Sequence, residues 1–110
     1  IGDEVLRIIG ITLKESFRQE DTICRFGGEE FTIILPEVNT QAALIACKRF
    51  SEILKTTSNE RIKSPISVSG GISEFPTHGE TPEDLYSKAD IALYKVKNSG
   101  KDNIIGYFEI

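Results

Sequence analysis

Apolar residues return every four positions near the start of the chain: Val5, Ile9, Leu13 and Phe17, joined by Leu6, form the stripe of an amphipathic helix from Asp3 to about Gln19. The pattern then shortens. Thr22 to Phe26 and Glu30 to Leu35 are β-rich runs, and Gly27-Gly28 between them suits a two-residue hairpin turn, whose central residues need positive φ. Pro36 closes the second run. Thr40, placed as an N-cap, opens a second helix that reaches about Thr57, with Ala43, Ala46, Phe50, Ile53 and Leu54 at helical spacing. After the polar stretch Ser58 to Ser64, Ile66, Val68, Gly70 and Ile72 alternate with Ser67, Ser69, Gly71 and Ser73, a strand whose small residues leave room above a sheet. Thr81 caps a third helix with Pro82 at its first position; Leu85, Ala89, Ala92, Leu93 and Val96 mark its buried face and Gly100 ends it. Asn103 to Phe108 reads as a last short strand.

The order α-β-β-α-β-α-β predicts an α+β fold with helices packed on a mainly antiparallel sheet. A sheet of this kind ordinarily receives a strand before the first helix, so the sequence reads as lacking its first strand. At 110 residues, 39% of them hydrophobic, the chain is one domain or a piece of one, with enough apolar surface for a single core. The net charge of -4 argues against a nucleic-acid backbone or an anionic membrane as partner, since both demand a dominant basic face. Any phosphate ligand must then be held by a few local cations. Cys24 and Cys47 sit inside apolar runs and read as buried thiols of a reducing compartment. No run approaches the ~18 apolar residues of a membrane span, and no basic-then-apolar leader pattern opens the chain, so a cytoplasmic location is expected.

The stretch "RFGGEEFTI", Arg25 to Ile33, sets two glycines against two carboxylates. Glutamates at the start of a strand are depleted by β-propensity, and their mutual repulsion makes Glu29-Glu30 a poor choice for stability alone. A glycine pair exposes backbone N–H groups and lets an anion approach without Cβ obstruction. The adjacent carboxylates suit Mg²⁺, which binds through one or two carboxylates plus substrate phosphates. A lone GGEE string is more often a plain hairpin with solvated acids; its surroundings decide.

The string resembles the signature of the GGDEF family of diguanylate cyclases, with Glu at the third position of Gly27-Gly28-Glu29-Glu30-Phe31. Further likenesses stand at matching spacings: "IGDEVL" (Ile1 to Leu6), "VSGGIS" (Val68 to Ser73) and "ADIALYKVKNSGKDN" (Ala89 to Asn103). The resemblance covers nearly the whole chain and makes residues 1–110 the C-terminal two-thirds of one GGDEF domain. It implies a palm-like fold related to adenylyl cyclases, and an enzyme that joins two GTP molecules into cyclic di-GMP with loss of two pyrophosphates. It also implies two Mg²⁺ ions per GTP, with one carboxylate ligand upstream of this chain, and a second such domain facing the first.

Site residues follow from the same resemblance. Glu29 matches a metal ligand, and Glu30 an acid that coordinates metal or helps deprotonate the attacking 3′-hydroxyl. Gly27 and Gly28 would lie against the phosphates. Asp3 matches the reader of the guanine Watson–Crick edge, whose N1–H and N2 donors suit a carboxylate; its structural alternative is a helix N-cap. Lys97 and Lys101 match cations for the terminal phosphates, against the alternative of a basic helix end favoured by the macrodipole, which is the reading given to Lys95. Where the family often has Arg, Lys101 offers a single-point contact. Arg18 and Asp21, an RxxD pair five residues before the glycines, match the family's product-inhibition site for cyclic di-GMP, with Arg49 in support; the alternative is a helix end followed by a turn aspartate. His78 has no ligand-spaced partner and reads as a solvated loop residue.

Three readings follow: a GTP-cyclising domain, a receptor that senses cyclic di-GMP through Arg18 and Asp21 without turnover, and a cyclase of relaxed base choice. The intact GGEEF favours the first over the second, and Asp3 disfavours the third. Without the upstream carboxylate, this stretch by itself is expected to be inactive.

Overall fold

The computed structural model describes residues 2–26 and 30–109, which fall into two units. The first holds Ile1–Val38 with Arg49–Ile66, the second Asn39–Lys48 with Ser67–Ile110. Helix α2 (Thr40–Ile62) contributes to both.

In the first unit, α1 (Asp3–Ser16) buries Ile8, Ile9, Thr12 and Leu13, and α2 brings Phe50, Leu54 and Ser58 to the same core. Each fully buried Ile or Leu side chain contributes about 1.5–3 kcal/mol over leaving it exposed. Thr12 and Ser58 are buried without cost in lost hydrogen bonds. The Thr12 hydroxyl donates to the Ile8 carbonyl at 2.8 Å, and the Ser58 hydroxyl donates to the Leu54 carbonyl at 2.7 Å while accepting the Ile66 N–H at 2.7 Å. Helix α2 thus runs past Thr57 to Ile62, into the polar stretch that begins at Ser58. Lys63, at φ 58°, ends the helix.

Helix α1 stops at Ser16, short of Gln19, because the chain turns extended at Phe17 (φ -116°, ψ 164°). The next backbone N–H, of Arg18, donates to the Asp21 carboxylate at 2.7 Å instead of to a carbonyl one turn back. Phe17 packs its ring on Phe50, centroids 5.8 Å apart. Strands β1 (Thr22–Phe26) and β2 (Glu30–Ile34) pair antiparallel, with Ile23 opposite Ile33 and Phe26 opposite Glu30. This register leaves three residues to join them, where a two-residue turn was expected; Gly27, Gly28 and Glu29 lie outside the described residues.

In the second unit, β3 (Gly70–Ile72), α3 (Pro82–Lys97) and β4 (Ile104–Gly106) form a strand-helix-strand crossover, followed by a 3-10 turn at Tyr107–Glu109. Strands β3 and β4 are parallel, Gly71 opposite Ile105, so a parallel pair accompanies the antiparallel one. The reason is topological: a helical connection returns the chain to enter the sheet in the same direction. Among the described residues the sheets are two pairs, one antiparallel and one parallel. Helix α3 begins as its sequence predicts, with Pro82 in the first turn and the Thr81 hydroxyl accepting the Asp84 N–H at 3.1 Å. It buries Ala92 and Val96. Gly71 lets α3 lie directly on β3, since a Cβ there would collide with the Ala89 carbonyl.

The cap of α2 is Asn39 rather than Thr40. The Asn39 Oδ1 accepts the Ala42 N–H at 2.8 Å, whereas Thr40 gives its N–H and hydroxyl, at 2.8 and 2.7 Å, to Glu74 Oε1. Those bonds, the hydroxyl's first, hold the Glu74 carboxyl below its ordinary pKa. His78 is half-buried and structural, not solvated: its Nδ1 accepts the Glu74 N–H at 2.8 Å and its ring meets Tyr107 edge-on at 5.4 Å. Both cysteines are free thiols, half-buried rather than buried. Burial pushes Cys47 up to about 11, so it stays protonated at neutral pH. Among the described residues, no helix is long and apolar enough to cross a membrane.

Candidate functional site

Arg18 and Asp21 are the sequence-predicted pair that the fold brings together most closely. The Asp21 carboxylate accepts the Arg18 backbone N–H on Oδ2 at 2.7 Å and the guanidinium on Oδ1, from Nη2 at 2.7 Å and Nε at 3.1 Å. Nη2 also reaches the Pro36 carbonyl at 3.1 Å, and Nη1 lies 3.4 Å from Glu20. The side chain of Asp21 is 2% exposed and that of Arg18 46%, so the cation faces solvent over a covered carboxylate. The hydrogen bond from Arg18 holds the Asp21 carboxyl below its usual range, and the same bond raises the Arg18 pKa.

The pair is part of the lining of a cleft of about 660 Å³ formed by residues of α1 and of the two strands. Leu13, Phe17, Ile23 and Phe31 supply apolar walls, and Lys14 and Arg25 join Arg18 as cations along it. Sequence reading passed over Lys14 and Arg25, although the signal was there. Lys14 stands four positions before Arg18, within the apolar-striped segment, and Arg25 shares a strand face with Ile23. Arg49, the expected support, is exposed on α2 and is not among the residues lining this cleft.

Glu30 stands exposed at the first position of β2, across from Phe26. Its neighbours in the motif, Gly27, Gly28 and Glu29, are outside the described residues. No group of three or more His, Cys, Asp or Glu gathers among the described residues to hold a metal on its own. The donor chemistry at Glu30 fits a hard cation that takes one or two carboxylates and completes its shell with phosphate oxygens.

Asp3 is exposed in the first turn of α1, where a negative charge suits the macrodipole. It is not the cap. Gly2 occupies that position, with no side-chain cap bond, so the helix-cap alternative for Asp3 falls away and its favourable place in the first turn remains. Lys97 and Lys101 belong to the other unit, both exposed, Lys97 as the last residue of α3 and Lys101 in the turn that follows. The Lys101 N–H donates to the Val96 carbonyl at 3.0 Å, which folds it back against the helix end.

Comparison with known proteins places this arrangement. The family described as diguanylate cyclase, GGDEF domain, matches residues 1–103. The response regulator PleD of Caulobacter vibrioides is 36% identical over 110 residues, covering 96% of this chain and 24% of that protein. The diguanylate cyclase DgcP of Pseudomonas aeruginosa is 36% identical over 105 residues, covering 94% of this chain and 16% of that protein. The chain thus spans a quarter or less of these relatives. Among solved structures, the active GGEEF domain of a diguanylate cyclase from Vibrio cholerae superimposes with a TM-score of 0.86 at 25% identity, over 96% of this chain and 67% of that one. The GGDEF domain of DgcB from Caulobacter crescentus, solved in complex with c-di-GMP, shares the fold with a TM-score of 0.83 at 22% identity, over 96% and 64% of the two chains. With its family signature spanning nearly all residues and its α+β fold matching these domains, the chain belongs to the GGDEF diguanylate cyclase family.

Proposed function

We propose that the protein carrying this domain condenses two GTP molecules into cyclic di-GMP, releasing two pyrophosphates. The observation that carries this reading is the intact Gly27-Gly28-Glu29-Glu30-Phe31 signature at the junction of β1 and β2, in a domain whose relatives include diguanylate cyclases. In each of two equivalent steps, the 3′-oxygen of one GTP attacks the α-phosphorus of the other. A P–O bond forms, the bond to pyrophosphate breaks, and the hydroxyl proton leaves to base. Two substrates must meet head to tail, so the active unit is two such domains face to face with one GTP each.

Within each domain, Asp3 accepts from the N1–H and N2 donors of guanine, a pair that adenine lacks. Lys97 and Lys101 hold the terminal phosphates, and Gly27 and Gly28 let the phosphates approach the backbone. Glu29 and Glu30 would hold Mg²⁺ together with the phosphates, and Glu30 would also help to draw the hydroxyl proton. When bound, Mg²⁺ lowers the hydroxyl pKa and neutralises charge on the departing pyrophosphate.

Arg18 and Asp21, with Arg49 in support, form the product-inhibition site. The guanidinium contacts phosphate and stacks on guanine, and the carboxylate accepts guanine N–H groups. The domain acts in the cytoplasm as the output of a longer signalling protein. The test is incubation of the complete protein with GTP and Mg²⁺ and identification of the nucleotide product. Cyclic di-GMP is expected; binding of cyclic di-GMP without GTP turnover would instead make the protein a receptor.

A further inference from the structure

Three consecutive residues after α3 hold positive φ: Gly100 at 107°, Lys101 at 63° and Asp102 at 50°. Glycine takes such angles freely; for lysine they are uncommon, and aspartate adopts them more readily than most residues, so local hydrogen bonds help to hold them. Three bonds do so. The Lys101 N–H donates to the Val96 carbonyl at 3.0 Å, an oxygen that also accepts the Ser99 N–H at 3.0 Å, so the backbone doubles back beneath the last turn of α3. The Gly70 N–H donates to the Asn103 carbonyl at 2.9 Å, tying the far side of the turn to β3. Between them, the Asp102 N–H donates to the hydroxyl oxygen of Ser69 at 3.0 Å. The first two are backbone bonds independent of side-chain identity. The third rests on one half-buried hydroxyl just before β3.

We propose that Ser69 is a positioning residue for triphosphate binding: by accepting the Asp102 N–H, its hydroxyl keeps Lys101 in left-handed geometry, folded against the helix end beside Lys97. This rests on the reading of Lys101 as a cation for the terminal phosphates. A lysine contacts phosphate as a point charge on a flexible four-carbon stem, so its backbone must be fixed if the ammonium is not to be ordered afresh at each binding event. Loss of the Ser69 oxygen removes this bond and weakens the hold on the left-handed geometry of residues 101 and 102, so the Lys101 backbone is less firmly fixed.

The experiment measures equilibrium binding, in the complete protein, of GMP and of a GTP analogue with a methylene group between the α- and β-phosphorus atoms. Ser69→Ala is expected to weaken the GTP analogue roughly five- to tenfold and to leave GMP unchanged, because only the triphosphate reaches Lys101. Ser69→Thr, which retains the acceptor oxygen, should bind like the parent. Lys101→Ala should lose at least as much as Ser69→Ala, and the double variant no more than Lys101→Ala alone, since Ser69 then has nothing to position. Should the alanine variant fail to fold, Ser69→Cys keeps the side-chain shape, slightly enlarged, while substituting a weaker acceptor, and should shift binding in the same direction. Parent-like binding of the GTP analogue by a folded Ser69→Ala protein, equal losses for GMP, or additive losses in the double variant would overturn the proposal. Parent-like binding by Lys101→Ala would withdraw Lys101 from the phosphate site, and the role of Ser69 with it.

Discussion

Arg18 and Asp21 hold each other by backbone and side chain at once: the Arg18 N–H and its Nη2 each lie 2.7 Å from an oxygen of the same carboxylate. An RxxD spacing permits this because the chain turns between the two residues, with the Asp21 N–H returning to the Arg18 carbonyl at 3.1 Å. The pair satisfies itself, so a ligand that engages Arg18 and Asp21, as proposed for cyclic di-GMP, would have to exchange these bonds for its own contacts.

Arg18→Ala in the complete protein should therefore weaken cyclic di-GMP binding by roughly tenfold, the scale of one charge-assisted contact, while the initial rate of synthesis is unchanged. Progress curves at saturating GTP, with and without added product, check it. Equal inhibition of parent and variant would return Arg18 to the role of a helix end.

Asp21 should titrate below the ordinary 3.8, because Arg18 stabilises its charged form. A depressed folded-state pKa stabilises the fold above the ordinary carboxylate range, and that contribution is lost as pH falls through the folded pKa. Carboxyl carbon shifts followed by NMR should give a midpoint that rises toward 3.8 in Arg18→Ala. An ordinary midpoint in the parent would contradict the paired geometry.

Gly71→Ala tests the packing of β3 on α3. Its methyl would meet the Leu93 backbone nitrogen at 2.6 Å and the Ala92 Cβ at 2.9 Å, besides the Ala89 carbonyl, so strand and helix must separate. Overpacking of this kind costs about 1–3 kcal/mol, read as a lower denaturation midpoint. An unchanged midpoint would mean that the sheet moves away from α3 freely.

Asp3→Ser should relax the preference for GTP over ATP, since a hydroxyl both donates and accepts where the carboxylate only accepts. Because Gly2, not Asp3, holds the cap position, the variant should keep α1 folded. Competition between the two nucleotides is the measurement, and an unchanged ratio would remove Asp3 from base recognition.

How much of this was legible in the sequence depended on how local its causes are. Thr81-Pro82 announced α3 because cap and first turn are set within four residues, and the strands around the glycine pair were visible as β-rich runs. The buried role of Ser58 was not visible because its partner, the Ile66 N–H, stands eight positions away. Thr40 was mistaken for a cap because nothing local shows that its hydroxyl serves Glu74 across 34 positions. The parallel pairing of β3 and β4 was hidden for the same reason: direction is fixed by the crossover, not by either strand. In the site, the RxxD pair was readable as a motif. The place of Lys14 and Arg25 in its cleft needed the helix and the hairpin to be set side by side.

The measurement that bears most directly on the central reading compares the complete protein with its Glu30→Gln variant, each supplied with GTP and Mg²⁺, scoring cyclic di-GMP and pyrophosphate together. The substitution removes one charge at nearly constant volume from the exposed start of β2, so the fold and the binding of cyclic di-GMP at Arg18 and Asp21 should persist. The parent is expected to release two pyrophosphates per cyclic di-GMP and the variant to form essentially none. Synthesis by Glu30→Gln at the parent's rate, or a parent that consumes GTP without making cyclic di-GMP, would contradict the assignment.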